Sequence, residues 1–161
     1  MKSILRVSAL AVLAFHVLAA WDTATLQAQA RFEVMPTEQI PEDYESWSLF
    51  LICNPAWIVQ HRDEGIGSLF DQYKIFGDAI GPRNLAIWFW KEPALEPSAE
   101  LTDVSRSSEY CGKFKLLPSK GPYVLVTTQH PDAQAVGDYF FISLNGLTPE
   151  DSADLLAQLT D

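Results

Sequence analysis

The sequence predicts an α/β domain: a three-layer α/β/α sandwich on a mixed four-stranded sheet, in the element order β-α-β-α-β-β-α. Three observations predict it. Residues 47–91 hold two continuous apolar runs of strand length on either side of an amphipathic stretch. Residues 123–144 hold two runs of aromatic and β-branched residues, separated by turn-forming residues. Two further stretches, from Asp103 and from Thr148, open on a capping residue and continue at helical spacing.

The first strand is Trp47 to Cys53 (WSLFLIC), an unbroken apolar run that suits a strand covered on both faces. Asn54-Pro55 ends it, and residues 56–63 read as a connection. A helix follows from about Asp63 to Ala79. Asp63 and Glu64 stand at its start, and Ile66, Leu69, Phe70, Tyr73 and Phe76 recur on one side. Gly81-Pro82 stops it. Asn84 to Lys91 (NLAIWFWK) is the second strand, apolar on both faces. Strand, helix and strand in that order make a right-handed unit with parallel strands.

Glu92 to Thr102 is a loop with two prolines. Asp103 caps a helix from Val104 to about Phe114, with Val104, Ser107, Cys111 and Phe114 on one face. Gly121-Pro122 leads into the third strand, Tyr123 to Thr128. His130-Pro131-Asp132 and Gly137 punctuate the way to the fourth, Tyr139 to Leu144. The last helix starts with Thr148 as cap and Pro149 at the first helical position. Glu150 and Asp151 favour the positive end of its dipole, and Leu155, Leu156 and Leu159 form the buried stripe.

Residues 1–30 have the pattern of a signal peptide. Lys2 and Arg6 precede the apolar run Val7 to Ala20, and Ala28-Gln29-Ala30 fits a processing site. The expectation is an exported protein, periplasmic or secreted. Residues 31–46 (RFEVMPTEQIPEDYES) read as an acidic extended arm over the surface, with a short strand at Phe32 to Met35. The domain itself is expected over 47–161. Beyond the first segment no run approaches the ~20 apolar residues of a membrane span.

Of the 161 residues, 11 are Lys or Arg and 21 are Asp or Glu, a formal net charge of −10. Loss of residues 1–30 makes the remainder one unit more negative. That balance disfavours nucleic acid and anionic membrane surfaces and leaves a protein or peptide partner open. A hydrophobic content of 48% argues for a packed core and against disorder.

The element order over residues 47–161 resembles the thioredoxin-like fold. Gly121-Pro122 before a buried strand is similar to that family's cis-proline entry. The terminal hairpin and amphipathic helix are similar to its C-terminal half. The resemblance implies a sheet order of second, first, third and fourth strands, with the fourth at an edge. It also implies a binding pole where His61, Asp63, Glu64 and the loop before Pro122 meet, which in related folds recognises extended peptide backbone. Trp57 is a binding candidate on separate grounds, as an aromatic residue in a connection that can serve either the core or an interface. One departure bears on chemistry. Redox-active members carry C-x-x-C at the first helix, and this chain has none. Cys53-Asn54-Pro55-Ala56 keeps one thiol, at the end of the strand, and dithiol exchange needs a second thiol beside the first.

Cys53 and Cys111 are the only cysteines. Three readings stand: a structural disulfide, two separate buried thiols, or a reactive single thiol at Cys53 with Cys111 as a distant resolver. Spacing alone does not fix whether their Cα atoms come within bridging range. His61 with Asp63 and Glu64 can be drawn as a metal or acid–base group. The residues lack a second ligand pair at metal spacing, and acids at a helix start answer its dipole. His130 before Pro131 is a turn residue. No cofactor motif is present: the chain lacks G-x-S-x-G, H-E-x-x-H and a phosphate-cradling glycine loop. Two functions remain, besides the weaker reading of a purely structural subunit of an envelope assembly. One is a thioredoxin-like binding or scaffold module of the cell envelope without dithiol activity. The other is a single-cysteine thiol oxidoreductase or peroxide-reducing enzyme that uses Cys53.

Overall fold

A computed structural model describes residues 37–62, 65–92 and 98–161. The signal-like segment, the strand expected at Phe32 to Met35, and both Asp63 and Glu64 lie outside the described residues. The apolar runs form a four-stranded mixed sheet of order β2-β1-β3-β4. Strand β1, Ser46–Leu51, is parallel to β2, Asn84–Trp88, with Leu49 opposite Ile87. On its other side β1 is antiparallel to β3, Tyr123–Thr127, with Leu49 opposite Leu125. Strand β4, Tyr139–Ser143, pairs antiparallel with β3, with Phe141 opposite Leu125.

Side chains of a strand alternate between faces, so each buried run divides into two cores. Phe50, Ile52, Trp88, Val124 and Val126 meet three helices on one face: α1 (Pro55–Gln60), α2 (Ile66–Ile80) and α4 (Pro149–Gln158). Leu49, Leu51, Leu85, Ile87, Phe89 and Leu125 pack on the other face against α3, Val104–Lys113. Helices therefore cover both faces, as continuous apolar strands require.

Helix α2 comes close to β2 because position 77 has no side chain. A Cβ built on Gly77 would lie 2.5 Å from that of Ala86. Beside this contact the buried Asn84 amide donates to Ser48 Oγ at 2.9 Å and to the Gly77 carbonyl at 3.0 Å. Its Oδ1 accepts from Ser46 Oγ at 3.0 Å. A buried polar side chain with its bonds made fixes register rather than costing stability.

Tyr73 of α2 does the same between β1 and β2. Its hydroxyl donates to the Ser48 carbonyl at 2.6 Å and accepts from the Ile87 N–H at 3.2 Å. Burial pushes this hydroxyl far above the ordinary tyrosine range, outweighing the bonds that favour the phenolate. Tyr110 is raised too, first by burial and then by the Asp132 carboxylate its hydroxyl touches. The sign follows from linkage. Above the ordinary tyrosine value of 10.0 the unfolded chain releases the Tyr73 proton while the folded chain keeps it. Stability is full below that pH and falls above it. The expected slope from Tyr73 is about 1.4 kcal/mol per pH unit. Denaturant titrations between pH 9 and 11.5 should show this loss, and Tyr73→Phe should flatten the profile by one proton's worth. An unchanged slope in that variant would assign the loss to other groups.

Several boundaries differ from expectation. The segment read as a connection contains α1, because Asn54 accepts the Ala56 N–H at 3.0 Å and Pro55 opens the turn. Helix α2 begins at Ile66, with Gly65 as its cap. The two first strands are shorter than the runs that carry them. In α4 Leu156 is buried, but Leu159 falls on the C-cap and is 52% exposed, so the stripe is narrower than expected. The Thr148 cap forms, and Asp151 returns the bond to make a capping box.

From residue 37 the arm is docked on the domain. Ile40 is buried in the second core. The Trp47 indole donates to the Pro41 carbonyl at 3.0 Å. His130 Nε2 lies 3.0 Å from the Ile40 carbonyl, and its ring meets the Trp47 ring edge-on at 5.2 Å. His130, expected as a turn residue, therefore also ties the arm down.

Candidate functional site

Cys53 and Cys111 are joined in a disulfide, with Cα atoms 5.8 Å apart. The topology brings them together. The end of β1 runs under the middle of α3, where Cys111 shares a helix face with Ser107 and Phe114. Both sulfur-bearing residues are buried, at 4% and 2% exposure. No free cysteine remains. A disulfide sulfur is not a thiolate, so use of Cys53 as a nucleophile requires prior reduction.

Above this bridge lies a cleft of about 250 Å³. It is built where three connections converge. The first is the start and end of α1, which supplies Asn54, Trp57, Gln60 and His61. The second is the turn Pro118–Lys120 with Gly121, before β3. The third is the β4–α4 loop, residues 145–148. Cys53 is packed behind this lining, against Gly121: a Cβ built on Gly121 would be 3.5 Å from that of Cys53. The Gly121-Pro122 bond is cis.

Trp57 is only 6% exposed, so most of its ring belongs to the core and only an edge reaches the cleft. Its indole sits 4.9 Å from the His61 ring. Trp57 Nε1 has no acceptor among the described residues. Pro122 is buried behind the lining, and its neighbours Ser119 and Gly121 face the cleft instead. Of the expected binding residues, then, Trp57 and His61 come together here, and Pro122 supports the wall. Asp63 and Glu64 lie outside the described residues.

The lining residues of the cleft carry no Lys, Arg, Asp or Glu. Amides, an imidazole, two hydroxyls and an indole surround it. Such a set hydrogen-bonds neutral polar groups and provides no fixed charge for a phosphate. Among the described residues no group of three or more His, Cys, Asp or Glu side chains is placed to hold a metal ion. No helix among them is long and apolar enough to cross a membrane.

Sequence reasoning missed Asn54, Gln60 and the 145–148 loop as parts of this cleft. Asn54 had a readable signal, since Asn before Pro is also a helix start. Gln60 and the loop had none, because only the folded topology brings them beside Gly121. Neither a protein-family model, nor a curated protein, nor a solved structure matches the chain.

Proposed function

We propose that the chain is an exported, thioredoxin-like binding module of the cell envelope without dithiol activity, and that its cleft takes a stretch of extended peptide backbone. The observation that carries this reading is the pairing of an open, uncharged, hydrogen-bonding cleft with neighbouring sulfurs that are locked in a buried disulfide. Extended backbone offers alternating neutral donors and acceptors, which suits a lining of amides, imidazole and hydroxyl. A cleft of this volume holds a residue or two rather than a cofactor. The sheet order and the cis Gly121-Pro122 bond accord with the thioredoxin-like resemblance.

The test is a titration of the purified, oxidised protein with a reduced and alkylated unfolded protein as probe, followed by amide and indole N–H resonances. Shifts are expected at Trp57 Nε1, His61, Gly121 and Gly146. Replacing Gln60 and His61 with Ala should weaken binding roughly tenfold, the loss of one or two hydrogen bonds to a ligand. Binding that leaves these resonances unmoved, or that survives the double substitution, would remove the cleft from the proposal. Thiol-disulfide exchange by the native protein would favour the enzyme reading instead.

A further inference from the structure

We propose that β4 is a self-association edge: two copies of the chain pair antiparallel through Tyr139–Ser143 and form one continuous eight-stranded sheet. The two edges of the present sheet are treated differently. On the β2 side the edge is covered where the chain leaves the strand, at residues 89–91, since Asp103 N–H donates to the Phe89 carbonyl and Lys91 N–H to the Leu101 carbonyl, both at 2.8 Å. Trp90 and Thr102 form an isolated bridge in the same place. At the other side β4 pairs with β3 alone among the described residues.

That open edge carries none of the usual protection. The run YFFIS has no charge and no proline. Tyr139, Phe140 and Phe141 are 37%, 56% and 49% exposed, so aromatic rings are bare on both faces of one strand. The direction of the backbone groups can be read from the ladder. Leu144 N–H donates inward to the Pro122 carbonyl. Residues alternate along an antiparallel edge, so Phe140 and Ile142 also bond inward, and Tyr139, Phe141 and Ser143 point their N–H and C=O groups outward. An antiparallel pair centred on Phe141 sets Tyr139 opposite Ser143 of the second copy and Phe141 opposite its own counterpart. Every outward group of the three residues then gains a partner.

Side chains and charge favour the same occupant. On the α3 side, Tyr139 and Phe141 wall a groove of about 390 Å³ with Leu116, Leu117 and Tyr123. The two-fold arrangement sets each Phe141 at the mouth of the other copy's groove. Asp138 precedes the strand, whereas Lys120 flanks its far end, where Ser143 Oγ donates to the Lys120 carbonyl. Antiparallel pairing brings each Asp138 toward the Lys120 end of the other copy. Parallel pairing would set like beside like. The clefts lie at the Ser143 end of β4, so in the pair they open at opposite ends of the joined sheet and remain free.

The experiment is sedimentation velocity of the purified protein over a wide concentration range. A reversible dimer is expected, weak because edge pairing buries little area. Phe141→Asp places two like charges face to face and should weaken it about tenfold or more. Phe141 is half exposed, so an unchanged melting temperature and circular dichroism would show that the monomer is intact. Asp138→Lys or Lys120→Asp alone should weaken the dimer, and the two together should restore it. A chain that stays monomeric throughout, as it would if β4 served a different partner, overturns the proposal. A dimer indifferent to Phe141→Asp, or a charge exchange that fails to restore it, does so as well.

Discussion

Replacing both Cys53 and Cys111 with Ala is expected to lower the unfolding free energy by about 4 kcal/mol. The bridge joins residues 58 apart in sequence. The enclosed loop contains α1, α2, β2 and most of α3, and it opens two residues after the end of β1. In the unfolded chain the bridge removes the closure entropy of a loop of that length, and the chain-entropy relation gives about 4 kcal/mol. Domains of this kind have roughly 5–15 kcal/mol in total. The variant should therefore remain folded at 25 °C but with a small margin. Urea unfolding with linear extrapolation measures it, and two quantities are expected to move. The free energy falls, and the m-value rises, because the unfolded chain without its bridge is more expanded. A loss below about 1 kcal/mol with an unchanged m-value would mean that the bridge does not act on the unfolded state.

The path from sequence to this architecture was legible wherever a residue pattern has only one physical use. WSLFLIC and NLAIWFW cannot sit at a solvated face, and so they required helices on both sides of the parallel pair. Thr148, Pro149 and Asp151 name the start of α4 almost by themselves. The pattern became ambiguous at β4. YFFIS, like β3's YVLVT, is four apolar or aromatic residues and one hydroxyl residue, yet β3 is buried throughout and β4 is largely exposed. The difference is not local: α3 covers the β1 and β2 side of one face and leaves the outer strand bare. Asn54-Pro55 was ambiguous for another reason, since the same two residues end a strand and begin a helix. The disulfide was one of three readings until the folded chain set the end of β1 under α3, a distance that spacing cannot supply. Among the candidate site residues, Trp57 and His61 were legible as occupants of a connection. Their partners Gln60 and Gly146 enter through topology alone.

Trp88→Ala is expected to cost about 4 kcal/mol, and the reason shows how the first core is assembled. Trp88 is the last residue of β2 and is 1% exposed. Its ring stacks on Phe50 of β1, with centroids 4.0 Å apart and planes 6° from parallel. Phe70 and Tyr73 of α2 meet it edge-on at 5.4 and 6.0 Å. One side chain thus joins the parallel strands to the helix between them. Its removal loses the transfer free energy of a large ring and leaves a cavity that aromatic neighbours cannot close without tilting. The indole also donates to Thr102 Oγ1 at 3.1 Å, which holds the segment covering the edge of β2. The two contributions separate experimentally. Thr102→Val removes the acceptor and should cost about 1 kcal/mol. Trp88→Phe keeps an aromatic plane for Phe50 and loses the same hydrogen bond. If the bond is shared between these two residues alone, the double variant Trp88→Phe with Thr102→Val should cost less than the sum of the single changes. Full additivity would show that Thr102 is held by the backbone bonds from Lys91 and Asp103, and that Trp88 acts through packing alone.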